Sequence, residues 1–128
     1  MEKALPKPTD AELEILTVLW SIGPATVRDV HNVITARRAA QYSTVLKFMQ
    51  IMAGKGLVRR DETERAHVYE ATKPSEWTRK QLAGDLVERA FSGSAKALLI
   101  GALSARKASK EELAEMRKLL DDYRKEDK

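Results

Sequence analysis

The sequence predicts a mainly α protein with one small β-hairpin. Three observations carry that reading. Apolar residues recur at helical spacing in separate stretches along the chain, a short central segment alternates instead, and Ser/Thr-x-x-acid motifs open three of the helical stretches.

Residues 1–8 carry Pro6 and Pro8 and read as a loose arm. Thr9-Asp10-Ala11-Glu12 is a capping box, with Thr9 as N-cap and Glu12 reaching back. Leu13, Leu16, Leu19 and Trp20 continue at helical spacing until Gly23-Pro24, where glycine takes the cap and proline cannot extend the helix. Thr26-Val27-Arg28-Asp29 is a second capping box. Val27, Val30 and Ile34, with Val33 beside them, line one face of a helix that fades near Arg37-Arg38. A third helix begins near Ser43, has Val45, Phe48, Met49 and Met52 as its apolar stripe, and ends at Gly54-Lys55-Gly56. The period then changes. Leu57–Asp61 and His67–Ala71 are strand-like around the polar turn Thr63-Glu64-Arg65, a β-hairpin. Three helices closed by a hairpin is the order of a winged helix–turn–helix domain, here assigned to residues 1–72.

Pro74 marks the expected boundary, because the residue before a proline is biased against helix. In residues 73–128, Ser75 caps a helix that runs through Trp77, Leu82, Leu86 and Phe91 and breaks at Gly93. A short apolar helix spans Ala95 to Leu103. Ser109-Lys110-Glu111-Glu112 is the third box, and Leu113, Met116, Leu120 and Tyr123 follow at the 3-4-3 spacing of a coiled-coil seam. A seam this short is not stable alone. Together with Leu82, Leu86, Phe91, Leu98, Leu99 and Leu103 it carries too many apolar side chains for a solvated tail. Burial against a second copy, rather than folding back, is the expectation, which makes this block a helical dimerisation region.

Composition narrows the function. The chain has 128 residues, is 43% hydrophobic and 33% charged, and holds no apolar run long enough to span a membrane, so no membrane insertion is expected. Its first residues lack the apolar core of a signal peptide, and the expected location is cytoplasmic. No cysteine is present, which removes disulfides, thiolate metal sites and cysteine nucleophiles. His31 and His67 are far apart, and neither belongs to a metal-binding pair. No nucleophile elbow or phosphate-binding loop appears. The expectation is therefore no enzyme, no metal and no cofactor.

The net charge is +4. Between Asn32 and Arg60 there is no Asp or Glu, while Arg37, Arg38, Lys47, Lys55, Arg59 and Arg60 are present, the footprint of a phosphate-contacting surface. In the third helix Ser43, Thr44, Lys47 and Gln50 fall opposite the apolar stripe. They either reach base edges and backbone or form a plain wet face. Leu46 and Ile51 either touch a thymine methyl or pack internally. Tyr42 stacks or reaches a phosphate, or else staples onto Leu46. Arg60 and Arg65, with Arg59, clamp phosphate from the wing or pair with Asp61, Glu62 and Glu64. His67 serves the wing or pairs across the strands. Thr26 and Arg28 sit at a helix start, which attracts anions, although capping alone accounts for Thr26.

The chain resembles the BlaI/MecI family of bacterial repressors. The resemblance rests on Pro8-Thr9-Asp10-Ala11-Glu12 leading into Val18-Leu19-Trp20, on Gly23 to His31, and on Tyr42-Ser43-Thr44-Val45-Leu46. It continues through Lys55 to Arg60, Arg65 to Tyr69, and Ser109 to Leu120. It implies a winged-helix domain, a C-terminal dimerisation region, and a homodimer that binds an inverted-repeat operator in double-stranded DNA and represses transcription. It also implies a membrane-bound sensor metalloprotease as partner, with release by cutting in the dimerisation region. The matching stretch is Leu99 to Ser104, between two predicted helices, with Gly101-Ala102 where the best-known relatives carry Asn-Phe. The copper-sensing branch, which uses a cysteine cluster, is disfavoured. The alternative reading is a winged-helix protein-interaction module without sequence-specific DNA binding.

Overall fold

The structure, a computed structural model, describes residues 5–126. Helix α1 spans Asp10–Ile22, α2 Val27–Thr35 and α3 Tyr42–Lys55. Strands β1 (Ala25–Thr26), β2 (Val58–Asp61) and β3 (Val68–Ala71) form one antiparallel sheet in the order β1-β3-β2. Helices α4 (Ser75–Ala90), α5 (Ala95–Ala105) and α6 (Lys110–Glu126) complete the chain. The chain is mainly α with a small sheet, as the sequence predicts.

The local signals act where they stand. Both reciprocal capping boxes form: Glu12 N–H donates to Thr9 Oγ1 at 3.3 Å and Thr9 N–H to Glu12 Oε1 at 2.9 Å, and the Thr26/Asp29 pair repeats the pattern. Gly56 ends α3 at φ +84°, ψ +7°, a left-handed conformation that disfavours any residue with a Cβ. At Ser109 the forward half is present, with Glu112 N–H donating to the hydroxyl at 3.0 Å.

Two compact units result, residues 1–83 and 84–128. In the first, α1, α2 and α3 bury Ile15, Leu16, Leu19, Val30, Ile34, Val45, Met49 and Met52 against Leu57, Val58 and Tyr69. Each such side chain contributes about 1.5 to 3 kcal/mol when fully removed from water. Phe48 and Leu46 pack partly against this core, and Ile51 stays exposed. The expected boundary at 72/73 falls where the sheet ends, but the first turns of α4 group with the winged unit. Trp20 Nε1 donates to Lys73 O at 3.0 Å, Thr78 is buried, and Gln81 Nε2 donates to Leu5 O at 2.9 Å.

Three expectations need correction. The arm is not loose in its described part. Leu5 packs on the core and Pro8 is buried; residues 1–4 lie outside the described residues. The hairpin is a three-stranded sheet, because Ala25 pairs with Tyr69 and Thr26 with Val68. Gly101 and Ala102 do not lie between helices but inside α5. A Cβ on Gly101 would come within 3.3 Å of the Phe91 ring, so the missing side chain is what lets that ring lie against the helix backbone.

The second unit has a different economy. Neither α5 nor α6 contains a buried residue. Leu86, Leu99, Leu103, Leu113, Leu120 and Tyr123 are exposed, the last at 65%, while Phe91, Leu98 and Met116 are half-buried.

Candidate nucleic-acid interface

The sequence-predicted residues of α3 come together on one face. Ser43, Thr44, Lys47 and Gln50 are all exposed, while Val45, Met49 and Met52 on the opposite face are buried. The period of the helix alone produces this separation. No side chain caps the start of α3 at Gln41, and its first turn holds no acid, so the partial positive charge of the helix end is not offset locally. Lys47 has no carboxylate partner among the described residues.

The turn from α2 into α3 is pinned by a residue whose role the sequence left open. His31 Nε2 donates to the carbonyl of Ala40 at 2.8 Å, which fixes the ring tautomer and the turn together. The His31 ring meets Tyr42 edge-on, with centroids 5.6 Å apart at 78°. On Tyr42 also rests Arg28, its guanidinium carbon 5.4 Å from the ring centroid. The structure thus joins Arg28 on α2 to Tyr42 on α3 through one exposed aromatic ring. Thr26 is committed to capping α2, with Asp29 N–H donating to its hydroxyl at 3.1 Å.

The basic stretch is acid-free in sequence but not in space. Arg38 forms a two-point pair with Glu14 of α1, its Nε donating to Oε2 at 3.1 Å. The Arg38 hydrogen bonds hold the Glu14 carboxyl below its ordinary value, and Glu14 in turn raises Arg38. Lys55 Nζ lies 2.7 Å from Glu12 Oε2. Burial opposes ionisation of Glu12, yet Lys55 and the Thr9 N–H hold its carboxyl below the usual range. On the wing, Arg59 pairs with Glu70 at 3.1 Å and Arg60 with Glu62 at 2.8 Å. The Tyr69 hydroxyl, ahead of Glu62, raises the Arg60 pKa. Arg65 and His67 are exposed. Arg65 has no ion pair among the described residues, and His67 Nδ1 is 3.9 Å from Glu62. These pairings cross 11 to 43 residues for Arg59, Arg38 and Lys55, beyond the reach of a local reading.

A family model described as the penicillinase repressor matches residues 8–122. The chain belongs to the penicillinase repressor family. Among curated members, the transcriptional regulator BlaI of Mycobacterium tuberculosis is 43% identical over 61 residues, covering 47% of this chain and 44% of that protein. The chain therefore spans less than half the length of that relative in the match. Among solved structures, the monomeric form of Bacillus licheniformis BlaI in complex with the blaP half-operator has a TM-score of 0.50 at 21% identity, covering 59% of this chain and 92% of that one. A transcriptional regulator from Thermotoga maritima has a TM-score of 0.51 at 18% identity, covering 91% of this chain and 73% of the other. At these identities the structures establish the shared winged-helix fold of the penicillinase repressor family. Among the described residues no helix is long and apolar enough to cross a membrane, and no group of three or more His, Asp or Glu is placed to hold a metal.

Proposed function

We propose that this member of the penicillinase repressor family is a transcriptional repressor that docks α3 in the major groove of operator DNA. The carrying observation is the exposed face of α3, where Ser43, Thr44, Lys47 and Gln50 stand on a helix anchored by a fully buried opposite side. Hydroxyl and amide groups match the donor and acceptor edges of bases, and Lys47 suits guanine or phosphate. Tyr42 and Arg28, held against one another, face the backbone beside it, and Arg65 reaches from the wing. The half-operator complex of Bacillus licheniformis BlaI supports this reading by kinship of fold.

The working form is a homodimer on an inverted repeat, paired through residues 84–128. The exposed apolar side chains of α5 and α6 support it, since an unburied apolar set of this extent calls for a partner surface. A second copy supplies that surface and also supplies the second half-site reader. Release follows cutting near Gly101-Ala102 by a membrane-bound sensor metalloprotease. Because both residues lie within α5, the helix must open locally before a protease can bind the backbone.

The test is titration of fluorescent duplexes, including the DNA upstream of the gene, by the full chain at several salt concentrations. Binding is expected to weaken with salt by about 0.9 in log–log slope for each phosphate neutralised. A chain that binds no duplex above background refutes the reading.

A further inference from the structure

The wing of this protein is not basic. Between Val58 and Ala71 three arginines, Arg59, Arg60 and Arg65, share the segment with four acids, Asp61, Glu62, Glu64 and Glu70. Two of those arginines are held by carboxylates: Arg60 Nη2 is 2.8 Å from Glu62 Oε1, and Arg59 Nη2 is 3.1 Å from Glu70 Oε1. Asp61 is occupied otherwise, accepting from Thr63 N–H at 2.9 Å to close the turn. The Arg60 side chain is only 35% exposed and also lies beside the Tyr69 hydroxyl, so its position is set before any ligand arrives.

We infer that Glu62, with Glu70 in support, sets the strength of backbone binding: it withholds Arg60 from DNA phosphates and so lowers affinity for every duplex. The inference rests on the DNA-binding reading above. A phosphate approaching the wing has to displace Glu62 from Arg60, and the displaced carboxylate then stands close to the duplex. Contacts to phosphate carry no sequence information, so weakening them lowers affinity for every sequence alike. The discriminating contacts on α3 are left to decide where the protein stays. Arg65, with no carboxylate of its own among the described residues, remains the wing cation available to the backbone.

The experiment compares the full chain with Glu62→Gln, Arg60→Gln and the double variant. Each binds a random-sequence duplex and a duplex selected by the wild type from a random pool. Glu62→Gln is expected to bind the random duplex about two- to fivefold tighter, the range of a surface ion pair. Its salt slope should steepen by about 0.9, one further phosphate contact, and the selected duplex should gain by the same factor, which leaves the ratio of the two affinities unchanged. In the Arg60→Gln background most of the gain should vanish. Unchanged random-duplex affinity in Glu62→Gln overturns the inference, as does a gain that survives intact without Arg60, which marks simple repulsion by the carboxylate. A wild type that enriches no duplex from the pool and does not bind the random duplex refutes the DNA-binding reading instead.

Discussion

Removing the charge of Lys55 should destabilise the winged unit more than removing the charge of its partner. The Glu12 side chain is 2% exposed and the Lys55 side chain 35%, so the two ends of the 2.7 Å pair are not equivalent. In Lys55→Met the aliphatic stem keeps its packing, but the Glu12 carboxylate stays buried with only Thr9, through its N–H and hydroxyl, to satisfy it. Stripping one partner from a fully buried pair costs 3 to 5 kcal/mol; the wet lysine end reduces this to about 2 to 3 kcal/mol here. In Glu12→Gln the amide oxygen can still accept from Thr9 N–H, and Lys55 turns to water, so the loss is about 1 kcal/mol. Acid should bring the variants together. The Glu12 carboxyl is depressed in the folded chain, so its contribution is fully present above the unfolded value of 4.5 and is lost as pH falls through the folded value. Glu12→Gln removes that acid loss. In Lys55→Met burial acts without its main opponent, the carboxyl takes up a proton more readily, and the deficit narrows on acidification. Urea unfolding by circular dichroism between pH 3 and 7 measures all three. A Lys55→Met variant no less stable than Glu12→Gln at pH 7 refutes the reasoning.

Other outcomes follow from the same structure. Lys47→Ala should weaken operator binding by about 1 to 3 kcal/mol if Lys47 reads a base, and it should leave the urea midpoint unchanged; fluorescence titration against salt checks it. Leu120→Glu, at a position 56% exposed in the isolated chain, should shift sedimentation toward monomer and weaken binding to a two-site operator more than to a half-site. Gly56→Ala should cost about 1 to 2 kcal/mol in unfolding, since φ +84° is unfavourable for alanine, and the new Cβ would crowd Leu5 at 3.2 Å. Val30→Ala, at a site with no solvent exposure, should cost about 2 kcal/mol or more.

Local chemistry was readable from the residues. Thr9 with Glu12, Thr26 with Asp29, and the glycine at 56 each act within a few positions, so their spacing states their geometry. The wet and dry sides of α3 were readable because one period governs both. What stayed hidden depends on distance along the chain. Nothing near Arg38 announces Glu14, and nothing near Lys55 announces Glu12, so an acid-free run looked more cationic than its folded surface is. Strand β1 is two residues long and has no period to detect. Leu5 reads as part of a proline-rich arm, and only the folded α4 offers it the Gln81 side chain. Gly101 reads as part of a stretch between two helices, whereas it lies within α5 and admits the Phe91 ring.

Thr26 belongs to two elements at once. Its backbone pairs with Val68 in the sheet while its hydroxyl heads α2, whose other end leads through the His31-pinned turn into α3. Helix α3 and the wing are thereby tied through Thr26 as well as through the core that Met49, Met52, Val58 and Tyr69 share. On the DNA-binding reading proposed above, a protein built this way offers the duplex a fixed template. Any mismatch in groove width or curvature has to be absorbed by the DNA, and its cost varies with the flexibility of base steps that the protein never touches. Operators for this chain should then share stiffness patterns as well as letters.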